Sequence, residues 1–241
     1  MTRASQLQRS YVRREGRLTA AQARALDMLM PVFGIECGEE MLDFQSLFGR
    51  TAPVILEIGF GNGVSLADSA MRHPDWDFIG IEVHRPGVGR LLNELEHNHI
   101  RNVRLICSDA AQVLQHNMPP AALAQIWIFF PDPWPKKRHH KRRLIQPEFA
   151  AHLADRLADH GVLLCATDWR GYAEHMLDIL DATPGLVNQN GKGSYALRAD
   201  ERPLTKFEQR GLSLGHTVHD LRYMKGITPR VLPSCNGPQH D

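Results

Sequence analysis

The chain has 241 residues, 43% of them hydrophobic and 23% charged, enough for one large domain with a sizeable core. Its formal charge of +1 is unevenly spread: residues 1–17 carry five Arg against one Glu, residues 136–143 carry six Lys or Arg and no acid, and the remainder is net acidic. No apolar run approaches the ~18 residues of a membrane span, the polar N-terminus lacks a signal-peptide core, and the four Cys include no C-x-x-C pair. These features argue against a membrane protein, a disulfide framework and a zinc site, and make the cytoplasm the expected compartment.

Residues 1–45 are Arg-rich and then mixed, with no strong strand signal. They read as a basic N-terminal extension, partly flexible at its start, ahead of one domain over residues 46–241. From Pro53 a regular rhythm sets in. PVILEIG, DFIGIEVH, VRLICSDA, AQIWIFFPD and GVLLCATD are short apolar runs that each close on or near an acid: Glu57, Glu82, Asp109, Asp132 and Asp168. Stretches of helical length separate them. One begins near Val64, and a second, Pro86 to Asn98, carries Val88, Leu91, Leu92 and Leu95 on one face. A third is expected over Leu144 to His160, with Phe149, Leu153 and Leu157 at helical spacing. Strands alternating with helices predict βαβ units, and so an α/β fold with a mostly parallel sheet covered on both faces. The carboxyl ends of parallel strands share one edge, so the five acids are expected on a single rim, where such sheets bind ligands. After Thr183, stretches around Leu186 to Ala196 and Thr217 to Tyr223 predict two further strands, one antiparallel. Cys107 and Cys165, inside apolar runs, are expected to be buried.

The first run leads into GFGNG. Gly59, Gly61 and Gly63 permit a tight turn and close approach of a ligand to backbone, a signal that dehydrogenases share. Glu82 is placed to bond a ribose diol, which NAD and S-adenosylmethionine both carry. Glu57, just ahead of the glycines, would repel a pyrophosphate but suits an ammonium group, and Asp109 is expected near an adenine amine. An acid after each of the first three strands favours a cationic ligand over an anionic one.

FFPDPWPKKRHHKRR is the sharper signal. Pro131 and Pro133 pin the backbone on both sides of Asp132 and end the strand abruptly. A carboxylate at the sheet edge beside a cationic run suits chemistry on a polyanion, although the run taken alone also fits a solvated loop. Thr205 to Glu208 fits a helix capping box, and Asp168-Trp169 fits the start of a helix over Tyr172 to Leu180. His139 and His140 extend the basic run, and no metal-binding cluster of His is apparent.

LEIGFGNG, GIEVHRPG, FFPDPWPKKRHHKRR, ATDW and TKFEQRG, in this order and spacing, resemble the bacterial tRNA (guanine-N7-)-methyltransferases, and SYVRREGRLT resembles their N-terminal segment. The likeness covers nearly the whole chain. It implies the Rossmann-like class I methyltransferase fold, with a seven-stranded sheet and helices on both faces. S-adenosylmethionine would be the methyl donor and tRNA the partner, with N7 of the variable-loop guanosine numbered 46 as target. Carried over by position, the resemblance makes Glu57, Glu82, Asp109 and Asp132 donor-binding, beside the turn at Gly59, Gly61 and Gly63, with Asp132 also catalytic. It assigns substrate contacts to Lys136, Asp168, Thr205, Lys206, Phe207 and Glu208, ahead of the capping-box reading. RNA contacts fall to Arg138, His139, His140, Lys141, Arg142 and Arg143. Asn62 departs from the family pattern, its side chain expected to face away from the donor. No metal and no membrane is implied, and a monomer is the expected state, with oligomers left open.

Two other readings compete. A nicotinamide-dependent dehydrogenase is disfavoured by Glu57 and by the lack of a hydride-transfer acid. A non-catalytic RNA-binding module would have no need of all four donor acids.

Overall fold

The alternation of apolar runs and amphipathic stretches is realised as one mixed sheet. The structure, a computed structural model, describes residues 16–198, 202, 208, 215 and 217–226. Two helices, α1 (Ala20–Phe33) and α2 (Phe44–Phe48), precede β1 (Val54–Ile58). There follow α3 (Val64–Arg72), β2 (Asp77–Ile81), α4 (Arg85–His97), β3 (Val103–Ile106), α5 (Ala110–His116) and β4 (Leu123–Phe129). Next come α6 (Pro147–Arg156), β5 (Leu157–Thr167), α7 (Arg170–Asp181), β6 (Leu186–Asn188) and β7 (His219–Lys225). The strand order is β3-β2-β1-β4-β5-β7-β6, with β1 to β5 parallel and β7 antiparallel to both its neighbours.

Each face of the sheet is buried, which is why the strands read as unbroken apolar runs. In β1 all five residues are buried. Ile55 packs in one core with Leu66, Phe78, Leu91 and Trp127, whereas Leu56 and Ile58 pack in the other with Leu114, Phe149 and Met176. Successive side chains of a strand point to opposite faces, so a single run serves both cores.

Three expectations need correction. The helix expected over Leu144 to His160 spans only Pro147–Arg156. Leu157 instead opens β5 opposite Leu123, and the register then shifts so that Gln125 pairs with Val162. Arg156 anchors the helix end by donating to the carbonyls of Leu114 (2.8 Å) and Gln115 (3.2 Å). Leu157 is buried in the same core from its strand, so apolar spacing alone does not tell helix from strand there.

The extension expected over residues 1–45 is not set apart from the core. A capping box between Thr19 and Gln22 starts α1, whose Ala25, Leu26 and Phe33 are buried in the core that α4 also lines, and the Ile35 amide donates to Leu105 of β3. Its first 15 residues lie outside the described part. Cys107, one residue past β3, is exposed, whereas Cys165 is buried. No helix among the described residues is long and apolar enough to cross a membrane.

Candidate active site

Because β1 to β5 are parallel, their carboxyl ends form one edge, and the five acids lie at or just beyond it. β1 and β4 are neighbours although β2 and β3 intervene in sequence, with Glu57 opposite Trp127. Connections from these two strands lead away in opposite directions, which opens a crevice at their carboxyl ends. The glycine turn after β1 and the Pro-Asp-Pro-Trp turn after β4 therefore flank the position where a ligand is expected.

On the β1 side, Gly59, Gly61 and Gly63 take φ of 74°, 59° and 76°. A side chain at Gly59 or Gly61 would meet no atom within 4 Å, so the turn faces open space. Gly87 at the start of α4 lies so near the turn that an added Cβ would sit 2.0 Å from the Gly61 carbonyl oxygen. Glu82 ties these segments together. Its Oε2 accepts the Gly61 N–H (2.8 Å) and its Oε1 accepts the N–H groups of Val83 and His84 (2.7 and 2.9 Å). Asp109 caps α5, accepting the Ala111 N–H at 2.9 Å. Asn62 accepts the Val64 N–H at 3.3 Å.

Glu57 is only 3% exposed. Its Oε1 accepts from the Ser65 hydroxyl (2.8 Å), while Oε2 is buried without a partner. Burial pushes its pKa up to about 7. An orphaned buried carboxylate oxygen beneath an open glycine turn fits a ligand carrying a positively charged hydrogen-bond donor.

On the β4 side the backbone is less regular. Phe130 and Trp134 have φ of 50° and 43°, and between them Asp132 is exposed. The basic run forms a 3₁₀ turn, Lys137–Arg142. Lys136, Lys137, Arg138 and Lys141 are exposed. Arg142 lies 5.1 Å over the Trp134 ring, and His139 meets the same ring edge-on at 5.7 Å. Arg143 departs from the expected RNA-facing set, because it is only 3% exposed and turned into the protein. Its guanidinium is held there by the Pro133 and Gly171 carbonyls, each at 3.0 Å.

Asp168 lies between β5 and α7. Trp169 occupies the N-cap position of α7 without a side-chain bond. Thr205, Lys206 and Phe207 lie outside the described residues. Glu208 is described and is buried, its carboxylate paired with Arg202 and, at 3.4 Å, with Arg198. Arg202 is 1% exposed, makes two 3.0 Å bonds to Asp220 of β7, and lies 5.5 Å from the Phe130 ring. Glu208, expected as a substrate contact, thus also anchors an ion-pair cluster beneath the β4 turn. Neither Arg202 nor Asp220 sits in a motif that announces such a role; the only sequence sign of Asp220 is an acid within an otherwise strand-like stretch.

A family model described as "Putative methyltransferase" matches residues 51–221. A protein of Alkalilimnicola ehrlichii named tRNA (guanine-N(7)-)-methyltransferase is 58% identical over 223 residues, covering 92% of this chain and 94% of its own. A protein of the same name from Aeromonas hydrophila is 53% identical over 217 residues, covering 90% and 92%. Among solved structures, the 16S rRNA methyltransferase KamB aligns with a TM-score of 0.56 at 13% identity, covering 78% of this chain and 95% of its own. A 30S ribosomal methyltransferase from an uncultured bacterium gives 0.55 at 14% identity, covering 80% and 98%. At these identities the structural likeness is one of fold.

Proposed function

The chain belongs to the tRNA (guanine-N7-)-methyltransferases, and from that premise we propose that its target is the variable-loop guanosine numbered 46 of tRNA. It is an S-adenosylmethionine-dependent enzyme that methylates N7 of guanine in tRNA. A cytoplasmic setting, where tRNA is modified, belongs to the same proposal, and the site acids all come from one chain, so the reading needs only one subunit.

The observation that carries the site assignment is the meeting of two segments at adjacent strand ends: the open glycine turn over the unpartnered Glu57 oxygen, and the turn that presents Asp132. In this reading Glu57 holds the donor's ammonium group, Glu82 its ribose hydroxyls and Asp109 its adenine. Glu82 is already oriented by three amides, so little ordering remains when the donor binds. When bound, S-adenosylmethionine supplies an electrophilic methyl group on a sulfonium.

Guanine N7 carries a lone pair and no proton. Asp132 therefore has no proton to remove, and its work is to orient donor and base for in-line attack. The positive charge passes from sulfur to the guanine ring as the methyl moves. A carboxylate close to both states stabilises them similarly, which leaves only a small electrostatic share in the rate. Lys136 and Asp168 would hold the guanosine, with Thr205, Lys206 and Phe207 joining them from the segment that Glu208 anchors through its ion pairs. Arg138, His139, His140, Lys141 and Arg142 would meet the phosphates while the base leaves its stack.

The test is transfer of labelled methyl to unmodified tRNA transcripts with nucleoside mapping. Label in 7-methylguanosine that disappears when guanosine 46 is replaced supports the proposal. Label at another guanosine would overturn the position, and salt-sensitive tRNA binding without transfer would favour an RNA-binding module.

A further inference from the structure

Arg143 closes a run of six positions expected on RNA, yet its guanidinium bridges the turn after β4 and the first turn of α7. Nε donates to the Pro133 carbonyl at 3.0 Å, Nη1 donates to the Gly171 carbonyl at 3.0 Å, and Nη2 lies 3.2 Å from Nε2 of His140. The group stacks over the Tyr172 ring at 4.9 Å. Pro133 adjoins Asp132, and Gly171 lies in the first turn of α7, three residues after Asp168, so one side chain joins the turn after β4 to the start of α7. No carboxylate among the described residues pairs with it.

A buried cation held by two carbonyls and a ring is a costly arrangement unless those contacts are well made. A planar fork reaches both carbonyls at once, which a lysine ammonium does not. The prolines around Asp132 set its local backbone, but they do not fix where that turn sits relative to the neighbouring one. Across this part of the rim, Arg143 supplies that link.

We propose that Arg143 is a positioning residue and not an RNA contact: it locks the Asp132 turn against the first turn of α7, the helix that follows Asp168, so that the carboxylate and the bound guanine keep their alignment. The proposal rests on the reading of Asp132 as the residue that orients the reacting groups. Small misplacements of reacting groups are known to cost about 100-fold in rate.

The experiment is steady-state methylation by Arg143→Lys at several salt concentrations, with donor affinity measured alongside. A kcat lower by about 10- to 100-fold is expected, with KM for tRNA within about twofold, donor affinity retained and the salt slope unchanged. A kcat equal to wild type overturns the clamp. So does an Arg143→Met variant whose main effect is a raised KM with a salt slope shallower by about 0.7 to 0.9, the signature of one lost phosphate contact, which lysine would keep. Lys141→Ala provides the contrast, raising KM and flattening that slope. Should Arg143→Lys fail to bind donor, the wild-type enzyme decides through labelling with an arginine-specific dicarbonyl reagent. Arg143 unreactive while Arg138 reacts supports the clamp; a reactive Arg143 that tRNA protects overturns it. Absence of methyl transfer by the wild type would instead refute the function on which the proposal stands, whatever Arg143 does.

Discussion

The two sides of the crevice are built by different means. On the β1–β3 side, each acid ends a strand and is held within its own strand–turn–helix unit or the adjacent one: Glu82 by three amides, Asp109 as the cap of α5. On the β4–β5 side, the turns carry positive φ at Phe130 and Trp134, and buried arginines reach across to hold them. Arg143 spans the turn after β4 and the start of α7, and Arg202 joins Glu208 to β7. The first side is held by backbone amides that its acids accept. The second is held by arginine side chains that bridge separate segments.

The contrast breaks most sharply at Arg202. Replacing it with Met would leave Asp220 and Glu208 as buried carboxylates without their shared cation, at a cost of about 3–5 kcal/mol. Thermal denaturation should show that loss, and Arg202→Met that unfolds like wild type would contradict the anchoring role. Next in size, Asp132→Ala should lower kcat by about 100-fold through lost in-line alignment, with a smaller loss of donor affinity. Turnover near the wild-type rate would remove Asp132 from the mechanism.

Glu82→Ala sharpens the comparison from the other side. It should weaken donor binding by about 10- to 100-fold, measured by calorimetry, as expected for lost hydrogen bonds to a charged group.

Glu57 makes a pH prediction. Burial raises its folded pKa to about 7, above that of the unfolded chain. The native state therefore keeps a proton that the unfolded chain has released. The stability this contributes is fully present below about pH 4.5 and is lost as pH rises through 7, with about 1.4 kcal/mol going between pH 6 and 8. Glu57→Gln should lack that decline, and equal pH dependence in both proteins would rule it out. Donor affinity should run the opposite way in the wild type, rising with pH as the carboxylate ionises. Smallest of all, Arg138→Ala should raise KM for tRNA a few-fold and reduce the salt slope by about 0.7 to 0.9; an unchanged slope would take it off the RNA.

The β1–β3 rim was legible because its signals are local. Glu57, the glycines, Glu82 and Asp109 each follow an apolar run at fixed short spacing, and parallel strands carry whatever follows them to the same edge. The β4–β5 rim was legible only in its motif. Asp132 between prolines stood out, but the same reading placed Arg143 among the RNA contacts, because a cation in a basic run looks alike whether it meets solvent or carbonyls, and it missed Arg202, whose carboxylate partner Asp220 lies 18 residues away. Leu157 shows the same limit in the core, since a buried leucine satisfies helix and strand equally.

By itself the sequence determined the order of strands and helices, the shared rim for its acids and the cationic run beside Asp132. Period, turn chemistry and charge density act over a few residues and are written where they act. Only the tertiary structure decided which cations face the solvent and which are buried. Those outcomes depend on carbonyls and carboxylates brought together from 10 to 28 residues away in the chain, and no local pattern encodes a partner at that distance.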